Sequence, residues 1–344
     1  MDLTTTYLGL TLPHPFMPGA SPLVDDMDAV LQLEDAGASA IVMHSLFEEQ
    51  VIGQRYGYAA LTRAHGDAHP EALSYFPERN EFRLEPDRYL ERLKRIKQRV
   101  DVPVIGSLNG TTSEGWLHYA QLIEQAGADA LELNFYHVAT DPDEESTAVE
   151  GHLLDLVAVL RESITIPLAV KLSPSYSSLP NLAKKLEALG VSGLVLFNRF
   201  YQADIDPDDL EAVPKLQLSD SSDLLPRLRW LAILSGQFHG SLAASGGVHE
   251  PIDAVKAVMA GAHAVQIVSA LLRKGPRHLA HILDGFQQWG GERGYTSITQ
   301  MRGSMSLERC PDPHAFERGN YLRILQSWQP PDPPMVRGGK PRRR

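Results

Sequence analysis

Four stretches of this chain repeat one pattern: AGASAIVMHS at 36–45, AGADALELNF at 126–135, LGVSGLVLFN at 189–198 and AGAHAVQIVS at 260–269. In each, a glycine follows a helix-like segment and can take the left-handed conformation that closes a helix. A near-continuous apolar run begins at once. Such runs belong to parallel strands covered on both faces. A chain that alternates buried parallel strands with helices is restricted to the α/β architectures.

Eight apolar runs can be counted, at 16–20, 40–46, 103–109, 130–136, 167–173, 193–198, 241–246 and 264–270. Helical patterns lie at 27–36, 87–99, 113–126, 147–163, 179–189, 223–237, 251–260 and 277–288. In RYLERLKRIKQR the apolar residues recur at helical spacing, and Ser113 reads as a helix cap. Eight β-then-α units predict a (β/α)8 TIM barrel over residues 1–310, with a doubly wound sheet plus an extra domain as the alternative. Two segments break the rhythm. An insertion at about 47–86, rich in His, Pro, Arg and Tyr, has the length of a lid or binding loop. Residues 311–344 carry seven prolines and end in the basic RGGKPRRR, which reads as a solvated tail.

Composition narrows the partners. At 344 residues and 43% hydrophobic content the chain suits one large barrel or two ordinary domains. A net charge of −11 without a general basic excess makes nucleic acid an unexpected partner. Cys310 is alone, which excludes an internal disulfide or a cysteine cluster and fits a reducing, cytoplasmic setting. The opening MDLTTTYLGLTLPHP lacks a basic region followed by an apolar core, so no leader is expected. No apolar run reaches the roughly 20 residues that span a bilayer, so no membrane is expected either.

In a (β/α)8 barrel the chemistry sits at the C-terminal ends of the strands. Those ends offer Gly19, Ala20 and Ser21; His44 and Ser45; Ser107 and Asn109; Asn134, Tyr136 and His137. The later strands offer Lys171 and Ser173; Asn198 and Arg199; Ser245, Gly246 and Gly247; Gln266 and Ser269. Lys171, inside the apolar PLAVKLSP, is the sharpest of them. A cation in such a place either stabilises a developing anion or, deprotonated, serves as a Schiff-base amine; both readings stay open. ASGGV at 244–248, followed by a helix at 251–260, is a candidate phosphate cradle, because glycines and a helix N-terminus both favour an anion. No metal set, G-x-S-x-G elbow or P-loop stands out.

Several of these stretches resemble the dihydroorotate dehydrogenase family over roughly residues 3–309. LGLTLPHPFMPGASPL is similar to its opening, LELNFYH to its "LNLSCPN" strand, PLAVKLSP to "P-x-x-VK-x-x-P" and LVLFN to its asparagine-ending strand. SGGVHEPIDAVKAVMAGAHAVQIVSALL and GYTSITQMRG resemble its glycine-rich and closing motifs most specifically. The resemblance implies FMN as cofactor. It places Gly246, Gly247, Ser269 and Ala270 at the phosphate, and Ala20, Ser21, Ser45, Asn109, Asn134, Lys171 and Asn198 around the rest of the flavin.

The substrate half departs from the family. His137 stands where the family has its Cys or Ser base, Ala139 where an Asn follows, His44 where a lysine follows strand two, and Arg199 where Ser or Thr follows Asn198. Histidine titrates near neutrality and is a competent base, so His137 is the expected base, with Tyr136 as a secondary proton relay. His44, Asn198 and Arg199 are expected at the substrate, the cations suiting a carboxylate. The expected reaction oxidises a CH–CH bond next to a carbonyl, in dihydroorotate or a related cyclic or carboxylated molecule. Fumarate, a quinone, NAD and a partner redox protein stay open as electron acceptor, the quinone weakened by the lack of an amphipathic N-terminal helix. The resemblance also implies a homodimer. Two competing readings are a flavin-free lyase or synthase using Lys171, and a non-catalytic flavin subunit of a larger redox complex.

Overall fold

The computed structural model describes residues 1–51, 86–112, 117–199 and 202–329. Most of the expected insertion at 47–86, and the basic tail, lie outside them. The chain opens on a hairpin, β1 (Thr5–Tyr7) and β2 (Leu10–Leu12), which the sequence reading did not anticipate. The barrel strands follow: β3 (Phe16–Pro18), β4 (Ile41–Val42), with β5 (Leu46–Phe47) beyond it, β6 (Val104–Asn109), β7 (Ala130–Asn134), β8 (Leu168–Leu172) and β9 (Gly193–Leu196). A second hairpin, β10 (Ala203–Asp206) and β11 (Glu211–Pro214), precedes the last two barrel strands, β12 (Ser241–Ser245) and β13 (Ala264–Ile267).

The parallel order is β3-β13-β12-β9-β8-β7-β6-β4, so each barrel strand from β6 onward pairs with its predecessor and the last, β13, pairs with the first, β3. Ser39 returns the edge to the start: its N–H and Oγ both donate to Phe16 O, at 3.0 and 2.8 Å. The sheet thus curls into the eight-stranded (β/α)8 barrel that the repeat predicts. Around it run α1 (Met27–Asp35), α2 (Pro86–Lys97), α3 (His118–Gln125), α4 (Ser146–Ser163), α5 (Leu179–Ala188), α6 (Leu224–Leu234), α7 (Pro251–Ala260), the short α8 (Ser269–Lys274) and α9 (His278–Glu292). Beyond them come α10 (Ile298–Met301) and α11 (Gly319–Gln326).

Three expectations need correcting. The run 40–46 is not one strand: pairing stops after Val42 and resumes at Leu46. The run 264–270 is a strand only to Ile267, because Ser269 already opens α8. The proline-rich extension holds a helix, α11, between its two groups of prolines. Among the described residues no helix is long and apolar enough to cross a membrane.

The strands alternate between two cores, as a period of two requires. Leu131 and Leu133 face the helices with Leu168, Val170 and Leu172, while Phe16 meets the ring of Phe286 at 4.9 Å. Five of the inward positions low in the barrel are alanine, Ala40, Ala130, Ala169, Ala243 and Ala264, beside Val42, Ile105 and Val195. Small residues there leave room for the N-terminal hairpin, whose Tyr7, Leu8 and Leu12 fill the barrel floor. A Cβ on Gly193 would stand 2.5 Å from Leu8 Cδ2, so that position needs glycine. Leu8 N–H donates to Ser241 Oγ at 3.0 Å, and Thr5 Oγ1 to His263 O at 2.9 Å.

His263 secures the same floor in its neutral form, since its Nδ1 accepts from Leu242 N–H at 3.1 Å. Burial, with Arg302 a lesser cause, pulls its pKa from 6.5 down to about 4. The unfolded chain therefore binds a proton that the native chain refuses, and stability is full above pH 6.5 and lost as pH falls toward 4. The expected loss is on the order of 2 kcal/mol. Urea unfolding at pH 7 and pH 4.5 checks it: His263→Gln should narrow the difference between the two pH values.

Candidate functional site

The period of two carries inward above the alanines. From β7 it turns Glu132 and then Asn134 into the barrel, from β8 Lys171, and from β13 Gln266. Lys171 Nζ lies 3.2 Å from Glu132 Oε1 and 3.1 Å from Gln266 Oε1, and Gln266 Nε2 donates to the other Glu132 oxygen. Glu132 and Gln266 are fully buried and Lys171 is 5% exposed. The charge that burial would penalise is thus met by an opposite charge and an amide. Tyr7 lies buried on the floor, and burial, reinforced by Glu132, pushes its phenol well above the usual range. Glu132 was missed in the sequence, although an acid inside ALELN is as conspicuous as a lysine inside PLAVKL.

Above this layer, Asn134 Nδ2 donates to Ser45 Oγ at 3.0 Å and Ser107 Oγ at 2.9 Å, and the two hydroxyls meet at 2.8 Å. The ends of the second, third and fourth strands are thereby tied together. Tyr89 braces Ser107 from behind, its OH donating to Ser107 O at 3.1 Å and accepting from Ser107 N–H at 2.9 Å. Asn109 ends β6 in register with Asn134. Ser21 and Asn198 are different. Ser21 Oγ and Asn198 Nδ2 are buried and have no hydrogen-bond partner among the described residues. Buried polar atoms left unpaired are rare and costly, so their place at two strand ends marks where a polar ligand fits.

On the opposite wall, Gly246 and Gly247 take φ of +88° and +82°. A Cβ on Gly247 would stand 2.4 Å from Leu224 N, so the turn admits no side chain. Ser269 Oγ accepts from Ser219 N–H at 3.1 Å, while Ser219 Oγ meets His249 Nε2 at 3.2 Å. Ala270, buried, follows Ser269 into α8. One expectation fails here. The N-terminus of α7 does not face the cradle with open N–H groups, because Glu250 and Asp253 close it in a capping box. Asp253 Oδ2 also accepts from His249 and Glu250 N–H, both at 3.1 Å. The candidate cradle is thereby reduced to the glycine turn and the start of α8.

The remaining expected residues line the mouth, and each has a partner in its own chain. His137 Nε2 lies 3.3 Å from Glu144 Oε2, and His152 Nδ1 lies 3.6 Å from the other oxygen of Glu144. They line an open cavity of about 490 Å³ with Thr140, Asp141 and Asp143. Arg199 donates to Asp223 Oδ2 at 3.1 Å. His44 Nδ1 lies 3.3 Å from Asp25, which Arg92 approaches at 3.9 Å. The Arg199 guanidinium expected at a substrate carboxylate thus already holds a carboxylate of this chain, and the His44 ring lies beside another. Among the described residues no group of side chains could hold a metal ion.

Comparisons with known proteins agree with this geometry. The family model described as Dihydroorotate dehydrogenase matches residues 85–289. The dihydroorotate dehydrogenase B (NAD(+)) catalytic subunit of Thermoplasma acidophilum is 28% identical, over 88% of this chain and 98% of its own length. A putative dihydroorotate dehydrogenase A (fumarate) of Aeropyrum pernix is 29% identical over 62% of this chain and 72% of its own. The NAD-dependent dihydropyrimidine dehydrogenase subunit PreA of Escherichia coli K12 is 23% identical over 88% of this chain and 76% of its own.

The buried pair makes a direct prediction. Glu132→Gln leaves the Lys171 ammonium without its counter-charge and should destabilise the fold by about 3 kcal/mol or more. Glu132→Gln combined with Lys171→Met should recover most of that loss, as read by denaturant unfolding of the two variants.

Proposed function

The chain belongs to the dihydroorotate dehydrogenase family of oxidoreductases acting on CH–CH bonds, and from that premise we propose that it binds FMN and oxidises a CH–CH bond next to a carbonyl. The observation that carries the cofactor is that two of the orphaned buried atoms, Ser21 Oγ and Asn198 Nδ2, lie at barrel strand ends beside the Lys171 layer. Flavin carbonyls and ring nitrogens are the acceptors and donors such atoms need. Ala20, Ser21, Ser45, Asn109, Asn134, Lys171 and Asn198 would hold the ring end. Gly246, Gly247, Ser269 and Ala270 would hold the phosphate, through a turn with no room for a side chain. When bound, FMN supplies the hydride acceptor.

The chain's own residues account for the rest. Lys171, a cation fixed by Glu132 and Gln266, stabilises negative charge that develops beside it. His137 takes the proton from the substrate carbon, with Tyr136 beside it as a relay. Glu144 holds one ring nitrogen of His137 and so orients the other. Asn198, His44 and Arg199 stand on the substrate side. A substrate carboxylate reaching Arg199 competes there with Asp223, which sets dihydroorotate against less acidic cyclic relatives. Two of the relatives are named as subunits, and we take the electron acceptor to be a partner redox protein. The lyase reading gives way, because the relatives are dehydrogenases and Lys171 Nζ is engaged by a carboxylate.

An absorbance spectrum of the purified protein, with anaerobic addition of dihydroorotate, tests both halves. Flavin bands support the cofactor, and their bleaching supports the substrate; folded protein that takes up no FMN refutes the reading. Bands that persist send the search to other cyclic CH–CH substrates. With the substrate that bleaches the flavin, His137→Ala should slow the reduction by about 100-fold or more while FMN stays bound. An unchanged rate removes His137 from the chemistry.

A further inference from the structure

Two lysine or arginine side chains are buried among the described residues, Lys171 and Arg227. Lys171 has the Glu132 carboxylate beside it. Arg227, on α6 and 7% exposed, is held differently. Its Nε donates to Ser245 O and its Nη1 to Asp223 O, both backbone carbonyls. The Asp223 carboxylate is spent elsewhere, on Arg199 at 3.1 Å and on Asp220 N–H at 3.0 Å. Arg227 makes no ion pair with any described residue. Burial pulls its guanidinium below the ordinary arginine pKa, with the Asp223 charge opposing that and Arg199 adding to it. An arginine nonetheless keeps its proton, so a full charge is buried here without a counter-ion. That arrangement is costly, and proteins ordinarily pair such a charge.

The place of this charge is the glycine turn. Ser245, whose carbonyl Arg227 holds, ends β12, and Gly246 and Gly247 come next. A Cβ on Gly246 would stand 3.0 Å from Arg227 Nη2, 3.2 Å from Nε and 3.3 Å from Cζ. The guanidinium therefore lies directly against the turn. Other cations of this corner are exposed and occupied: Lys274 pairs with Glu250 at 2.6 Å, and Arg273 donates to Leu218 O at 3.2 Å. An anion seated on the turn would supply the charge that Arg227 lacks.

We propose that Arg227 is the buried counter-charge for the phosphate of the flavin, acting through the Gly246–Gly247 turn. This rests on the FMN reading above and deepens it, since it makes the turn selective for a phosphate over a neutral polar group. Arg227 touches no reacting atom. It is a positioning residue that fixes Ser245 and Asp223 by their carbonyls and gives the turn a positive charge that water screens little.

Fluorescence titration of the flavin-free, full-length chain tests this with two probes, FMN and riboflavin, which lacks the phosphate. The wild-type chain should bind FMN about 10-fold or more tighter than riboflavin. Arg227→Met should weaken FMN by about 10-fold or more and leave riboflavin within about 3-fold. Arg227→Gln, which can still donate to a carbonyl but carries no charge, should do the same and serves if the Met variant does not fold by circular dichroism. Arg227→Lys keeps the charge and should restore most of the preference, and Arg273→Met should leave it near wild type. Equal weakening of both flavins would mean that Arg227 only braces the turn, and overturns the proposal. So does a folded, uncharged variant that keeps the full preference, or a wild-type chain that binds riboflavin as tightly as FMN. A wild-type chain that takes up neither flavin is a separate failure, which removes the FMN reading and this inference with it.

Discussion

A lysine ammonium, a carboxylate and an amide meet inside a closed barrel, and the layers above and below answer to them. Lys171 and Glu132 come from the neighbouring strands β8 and β7 and Gln266 from β13, so the contacts to Gln266 cross the barrel. Removing any one leaves a buried charge or a buried amide unsatisfied, which costs more than the network contributes when complete. Below it the barrel must be dry, and the alanine layer with Tyr7, Leu8 and Leu12 fills that space. Above it the barrel can be polar, and Asn134, Ser45 and Ser107 tie three strand ends together there. Lys171 is held at this boundary, a cation fixed where a ligand on the mouth meets it.

The mouth divides into two halves of different character. On the side of the glycine turn and of Ser21 and Asn198, polar atoms are buried and unpaired, and glycines keep the backbone clear of side chains. The other residues expected at the substrate are engaged: His137 with Glu144, Arg199 with Asp223, His44 with Asp25. A wall with unpaired polar atoms facing a wall of internal ion pairs is what the proposed cofactor and a substrate competing for its contacts would meet. Under the proposed function, a substrate carboxylate reaching Arg199 would have to displace one already present.

Two exposed features lie outside that division. The β10–β11 hairpin rises from the strand end that carries Asn198 and Arg199, and α11 stands off the body after the last barrel helices.

The barrel itself was legible in the sequence. Four glycine-closed repeats implied parallel strands, eight apolar runs implied closure, and α7 occupies the residues its pattern foretold. These signals are local, because helix caps and strand faces are written at fixed spacing along the chain. Lys171 was legible for the same reason, as a charge inside an apolar run. Its partner Glu132 and the orphaned state of Ser21 and Asn198 were not, since being paired or unpaired depends on what other strands bring near. Nor was the engagement of His44 and Arg199 with Asp25 and Asp223, residues about 20 positions away in sequence. The floor hairpin escaped notice because three-residue strands carry too little periodicity to read. The sequence by itself determined the fold, the strand ends and the residue types at the mouth. Only the tertiary structure decided which charges are satisfied and which atoms are left for a ligand, because burial and hydrogen bonding belong to the closed barrel and not to any segment of it.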